Sequence, residues 1–251
     1  MPKYFFPPNA IKGNEIHLYD KETIHHLLNV LRIKSGDKII LCDGNNTDYE
    51  SVFSCATKLE VAIFTITGIV PCNNEPAVPI TLYMSLPKGD KLELIIQKAV
   101  ELGVSEIVPV HTARSIVKLK DGKDKKTIRL QRIAESAAGQ CMRGKIPKVH
   151  SVRSFNEAVQ DFMVQHDSNE ARHLCLIAYE QEHTLSLKEV LCSHKPQPIR
   201  IWIGAEGGFE KREVETLVAN GATPVSLGRR ILRCETAAIA TVAQISFFWG
   251  D

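Results

Sequence analysis

The chain of 251 residues has no long apolar run, no low-complexity tail and no leader of the charged, apolar and small-residue type. A membrane span needs roughly 20 apolar residues, so none is expected, and the expectation is a cytoplasmic protein. Its seven cysteines (Cys42, Cys55, Cys72, Cys141, Cys175, Cys192 and Cys234) are odd in number, scattered and without a CxxC pair. That speaks against a disulfide framework and a thiolate zinc site; reduced thiols and no metal are expected. Neither GxGxxG nor the Walker A pattern occurs, which argues against a dinucleotide-dependent redox enzyme and a P-loop enzyme. Net charge is only +2, so total charge names no polyanionic partner.

What is present is ordinary in amount and uneven in placement. A content of 44% hydrophobic and 24% charged residues is that of a soluble globular protein, long enough for one large domain or two smaller ones. Between Arg114 and Arg153, however, there are 12 Lys and Arg against 3 Asp and Glu, a local +9 that leaves −7 for the rest. A basic block inside an otherwise acidic chain is the footprint of phosphate contacts, with Arg114, Lys118, Arg129 and Arg143 as its candidates. A solvated charged loop is the other reading, above all for Lys123–Lys126.

Residues 1–71 alternate short β-type runs with turns: Lys3–Phe6, Glu15–Leu18, Asp37–Cys42, Tyr49–Ser54 and Val61–Val70, with a hairpin turn at Asp43–Asn46. Asp20 is placed to cap a helix from Lys21 to Leu31, with Ile24, Leu27, Leu28 and Leu31 on one face. Seven basic against eight acidic residues give this region no net pull on RNA. Individual side chains must then do that work, Arg32 first and Lys3 second. Three prolines in 71–79 mark a linker at 72–79, and a second domain follows over 80–251.

That domain alternates strands and helices: strands at Ile80–Leu86, Ile107–Val110, Val149–Val152, Leu174–Ala178, Ile199–Ile203 and Thr223–Leu227, helices at Asp90–Leu102, Ile128–Gly139, Phe155–Val164 and Phe209–Asn220. Such a series predicts a mostly parallel α/β sheet with helices on both faces. Gly204-Ala205-Glu206-Gly207-Gly208 follows one strand directly, and a loop carrying Arg229, Arg230 and Arg233 follows another. Strand-end loops of a parallel sheet are where ligands bind, and the Ala178-Tyr179-Glu180 turn belongs to the same edge. Glycines after a strand are also common as plain turns. From Thr236 to Gly250 no residue is charged, which predicts a last helix buried in the core or against a partner.

Four separated motifs resemble the RsmE family, SPOUT-class methyltransferases of small-subunit ribosomal RNA. They are HHLLNVLRIKSGDKIILCDG (His25–Gly44), KGDKLELIIQKAVELGVSEIVPVHTARS (Lys88–Ser115), the Gln140, Arg143 and Pro147 pattern, and IGAEGG (Ile203–Gly208) with LGRRILRCETA (Leu227–Ala237). Ala205 stands where the family carries proline, a change that removes no chemically active group. The resemblance implies a PUA-like β-barrel ahead of a SPOUT domain with a deep trefoil knot, and a homodimer. It implies transfer of a methyl group from S-adenosylmethionine to N3 of a uridine in 16S rRNA, uridine 1498 in ribosomal numbering, on free RNA or the small ribosomal subunit. Cofactor contacts are then expected from Ala178, Tyr179, Gly204, Glu206, Gly207, Gly208, Leu227, Gly228, Ile231, Leu232 and Thr236. Arg233 is the candidate for stabilising charge on the uracil oxygens. Glu235 would organise that arginine, assist deprotonation, or simply cap the last helix. The rival from another class is a non-catalytic RNA-binding protein using the barrel and the basic block.

Overall fold

The computed structural model describes residues 3–57, 60–116, 123–167 and 173–250. Contacts divide the chain into two units, Met1–Glu75 with Glu135–Ile146, and Pro76–Ala134 with Pro147–Asp251. The cut at 75/76 falls inside the proline-rich stretch. No composition shift marks 135–146.

In the first unit a six-stranded sheet runs in the order β1 (Tyr4–Phe5), β4 (Lys38–Cys42), β5 (Thr47–Thr57), β6 (Val61–Pro71), β3 (Glu15–Leu18), β2 (Ile11–Lys12). Among the described residues, only the β1–β4 pair of this sheet is parallel. Alternation along the strands sends Ile16, Leu18, Ile39, Leu41, Phe53 and Phe64 into one core. The hairpin turn forms where expected: Asp43 Oδ1 accepts from Asn45 N at 2.7 Å and Thr47 N at 3.2 Å. β5 and β6 are longer than their apolar runs and carry register shifts at Glu50/Ser51 and Phe53/Cys55, where extra residues bend the pair. Asp20 does cap a helix, accepting from Thr23 N at 2.8 Å. The expected single helix is instead α1 (Lys21–His25) continued by a π-helical turn, His26–Val30. That wider turn keeps Ile24 and Leu27 buried and leaves Leu31 42% exposed, off the expected face.

In the second unit every strand pair is parallel. The order is β10 (Arg153–Ser154), β8 (Glu106–His111), β7 (Ile80–Ser85), β12 (Ile199–Ile203), β11 (Leu174–Ala178), β13 (Thr223–Val225), with β9 (Lys148–Val149) also on β8. The helices are α2 (Lys91–Glu101), α3 (Lys123–Gln140), α4 (Phe155–Asp167), α5 (Leu187–Ser193), α6 (Lys211–Ala219) and α7 (Cys234–Trp249). Tyr83 and Trp202 stack with ring centres 4.3 Å apart, under Phe162 of α4 and beside Val214 and Leu217 of α6. The alternate residues Leu82, Met84, Ile201 and Ile203 point to the opposite face, where α2 and α7 pack together. Chain order and sheet order part company here: β12 lies between β7 and β11, and β13 lies beyond β11. The carboxyl ends of β11, β12 and β13 therefore release their loops side by side.

α5 lies outside the elements expected from the apolar pattern, although its signal is present: Ser186 and Glu189 form a capping box, with Glu189 N donating to Ser186 Oγ at 3.2 Å. α3 starts five residues before the expected Ile128, in a run of charge without apolar periodicity. Among the described residues, no helix is long and apolar enough to cross a membrane, and no group of His, Cys, Asp or Glu is placed to hold a metal.

Candidate functional site

Three strand-end loops enclose a cavity of about 740 Å³, within the range of small-molecule sites. The loop after β12 closes on itself, with Gly208 N donating to Ala205 O at 3.0 Å. Alanine in place of proline thus still permits the turn. Gly208 adopts φ +66°, a conformation that favours glycine, and a Cβ there would crowd the Glu180 carboxylate, meeting Oε1 at 2.5 Å. Phe209, 2% exposed, anchors the loop in the core. Behind it Glu213, 4% exposed, accepts from Ala113 N and from Glu210 N, each at 2.9 Å. That carboxylate ties the end of β8 to the start of α6.

The loop after β11 supplies Ala178, Tyr179, Glu180 and His183 to the cavity. Tyr179 N donates to Val225 O at 3.1 Å, which seats this loop on the end of β13. Further along it the Thr184 hydroxyl, with the N–H groups of Thr184 and Leu185, pulls the Glu182 carboxyl down to about 2. The loop after β13 supplies Ser226 to Arg233, and α7 adds Cys234 and Ala237.

Lys91, at the start of α2, is the ionic centre. Its Nζ lies 2.9 Å from Glu206 Oε1 and 3.2 Å from Glu235 Oε2. The Glu206 hydrogen bond raises the Lys91 ammonium above its ordinary value. Burial would raise the Glu206 carboxyl, yet Lys91 and the N–H groups of Glu206 and Lys88 hold it below the usual range. Glu235 is likewise held low, by its own backbone N–H and then by Cys234 and Lys91. Burial, followed by Glu235, pushes the Cys234 thiol up to about 12, so it stays protonated.

Of the residues expected to contact a cofactor, Ala178, Tyr179, Gly204, Glu206, Gly207, Gly208, Leu227, Gly228, Ile231 and Leu232 all line this cavity. Thr236 does not; it sits exposed on the first turn of α7 while Cys234 and Ala237 face inward. Arg233 lines the cavity with an exposed side chain, and Glu235 lies outside the lining, turned to Lys91. Lys91, His183, Ser226, Cys234 and Ala237 line the cavity as well, beyond the residues the motifs imply. Lys91 stands just past the carboxyl end of β7, and the pairing of β7 with β12 brings it to this sheet edge.

The basic residues separate into different settings. Arg32 is exposed with φ +56°. Arg129 is exposed and paired with Glu93 at 2.9 Å, and exposed Arg114 donates to Gly207 O at 2.6 Å. Lys118 lies outside the described residues. Arg143 needs correcting as a phosphate ligand. It is 4% exposed, and its Nε and Nη2 engage Glu75 at 3.2 and 2.6 Å, leaving no open fork for an incoming phosphate. Lys3 is corrected for the same reason, its ammonium being buried against Asp48 at 2.7 Å.

Residues 73–246 match the family described as RNA methyltransferase domain, and residues 18–63 the family described as RNA methyltransferase PUA domain. The chain is 37% identical to ribosomal RNA small subunit methyltransferase E of Bacillus subtilis (strain 168), over 90% of this chain and 88% of that one. It is 32% identical to the protein of that name from Buchnera aphidicola subsp. Schizaphis graminum, over 99% and 95%. Among solved structures, the Neisseria gonorrhoeae ribosomal RNA small subunit methyltransferase E, bound to S-adenosyl methionine, superposes with a TM-score of 0.87 at 32% identity, covering 100% of this chain and 99% of that chain. A Legionella pneumophila putative methyltransferase with the same bound cofactor gives 0.85 at 26% identity, covering 99% and 98%. With both of its parts matched and its strand-end cavity in place, the chain belongs to the ribosomal RNA small subunit methyltransferase E family.

Proposed function

We propose that this protein transfers the methyl group of S-adenosylmethionine to N3 of a uridine in 16S rRNA, uridine 1498 in ribosomal numbering, acting as a cytoplasmic homodimer with a trefoil-knotted catalytic domain. The observation that carries this reading is the cavity at the ends of β11, β12 and β13. Its chemistry suits the donor. Ile203, Leu227 and Leu232 offer apolar surface for a base, and Glu180 offers a charged partner for hydroxyl and ammonium groups. The close-set glycine loop brings backbone, rather than side chain, to the ligand.

When bound, S-adenosylmethionine supplies a methyl carbon on a positively charged sulfur. The N3 electron pair forms the new N–C bond, the S–C pair stays with sulfur, and the N3 proton passes to solvent water. The chain's contribution is alignment and electrostatics. Arg233, exposed at the cavity edge, is suited to stabilising charge on the uracil oxygens. Glu235, held below the usual carboxylate range and turned to Lys91, is a poor proton acceptor near neutral pH; it serves as an anchor. Exposed Arg32, Arg114 and Arg129 are the phosphate-contacting candidates. Phe247 and Phe248 of α7, 86% and 41% exposed, offer the apolar face a second copy would cover.

Calorimetric titration with S-adenosylmethionine, with NAD as control, should show binding of the first alone. Mass mapping of small-subunit RNA treated with the protein and donor should then locate one N3-methyluridine. Absence of donor binding would leave an RNA-binding protein as the better account.

A further inference from the structure

Two carboxylates from separate loops meet one lysine in the wall of the cavity. Glu206 belongs to the glycine loop after β12, and Glu235 to the first turn of α7. Lys91 Nζ reaches the first at 2.9 Å and the second at 3.2 Å. Glu206 also accepts from Lys88 N, at 3.2 Å to one oxygen and 3.4 Å to the other. The start of α2, the glycine loop and the start of α7 therefore converge on one ammonium. Among the described residues, no other lysine or arginine is paired with either carboxylate.

We infer that Lys91 is a positioning residue for the methyl donor, a single cation that holds the glycine loop and the first turn of α7 together as one wall of the cavity. The inference rests on the methyl-transfer reading above. The side chains of Lys91, Glu206 and Glu235 are 32%, 30% and 17% exposed, and ion pairs this open to solvent add little to global stability. What the cation controls is local. Without it, two like charges share one wall uncompensated, and the loop carrying Gly207 and Gly208 loses its tie to α7. Lys91 itself borders the cavity, so the same movement alters the surface the donor meets.

The test compares wild type with Lys91→Met, Lys91→Arg and Lys91→Met combined with Glu206→Gln. Donor affinity by calorimetry, KM for donor and for RNA, and Tm are measured for each. Lys91→Met should raise Kd and KM for S-adenosylmethionine by about tenfold or more, leaving KM for RNA and Tm close to wild type. Lys91→Arg should recover most of the affinity, and the double variant should recover part, because one of the two opposed charges is gone. Donor binding by Lys91→Met equal to wild type would overturn the inference. So would a joint fall of Tm and affinity that arginine does not rescue, since that is a purely structural role. If wild type itself fails to bind the donor, the methyl-transfer reading falls, and this inference with it.

Discussion

Arg114 lies across Gly207. Its guanidinium donates to the Gly207 carbonyl at 2.6 Å, and its Cβ and Cδ come within 3.2 and 3.3 Å of where a Gly207 Cβ would stand. A residue at the edge of the basic block is thus packed on the glycine loop that lines the cavity. Gly207→Ala forces that stem to shift and weakens the hydrogen bond, at a cost of about 1 kcal/mol. Donor titration should show affinity falling several-fold, with only a small drop in Tm. Unchanged affinity would mean that the loop tolerates the displacement.

Arg143 and Glu75 form a pair whose side chains are 5% and 17% exposed, and Glu75 also accepts from Gly144 N and Lys145 N. Removing one partner strands the other, which costs about 3–5 kcal/mol for a buried pair. Arg143→Ala should therefore lower Tm by many degrees. RNA affinity measured well below that temperature should change far less than in Arg32→Ala. The reverse pattern would restore Arg143 as a phosphate ligand.

Arg233 is the N-cap residue of α7 but makes no side-chain capping bond, and its side chain is exposed. Arg233→Ala should leave Tm and donor affinity near wild type while methyl transfer falls by about 10²–10³, the range for removing one charge-stabilising donor. Wild-type turnover by this variant would remove it from the chemistry.

The Lys91 cluster gives the pH dependence a definite sign. Glu206 and Glu235 are held below their ordinary value of 4.5, so their stabilisation is present above that value and is lost as pH falls through their lowered ones. Lys91 is held above 10.5, so its contribution is intact below that value and is lost only as pH rises through the raised one. Donor affinity should be flat from about pH 6 to 9 in this respect and should weaken in acid. A titration of affinity centred near neutrality would point to another group.

The parallel sheet and the strand-end cavity were legible because Ile199–Ile203 and Leu174–Ala178 are short apolar runs followed directly by glycine or polar turns. The rest was less legible for physical reasons. The turn of Val30 and Leu31 out of the core depends on a π-helical step, and no spacing of leucines announces one. Arg143 looks like a free loop arginine until the chain brings Glu75 to it across 68 positions. Lys91 sits in a charged helix start, KGDK, where surface is the natural reading, and only the placement of β7 beside β12 makes it part of the cavity. Thr236 falls inside the matched motif, yet helical phase turns it to solvent. A motif names a segment; the phase of the helix decides which of its side chains reach the ligand.

The membership of Glu135–Ile146 in the first unit has a consequence for synthesis. Lys3 N donates to Gly139 O at 3.1 Å and Asn46 N to Gly144 O at 3.0 Å, so the amino-terminal strands close contacts with residues translated long after them. Chains emerge from the ribosome amino end first. While the stretch from Pro76 to Ala134 is being made, the partners of Lys3, Asn46 and Glu75 have not yet been synthesised. The leading unit is therefore finished late, and a nascent chain halted at the linker would expose the polar groups that Gly139, Arg143 and Gly144 later satisfy.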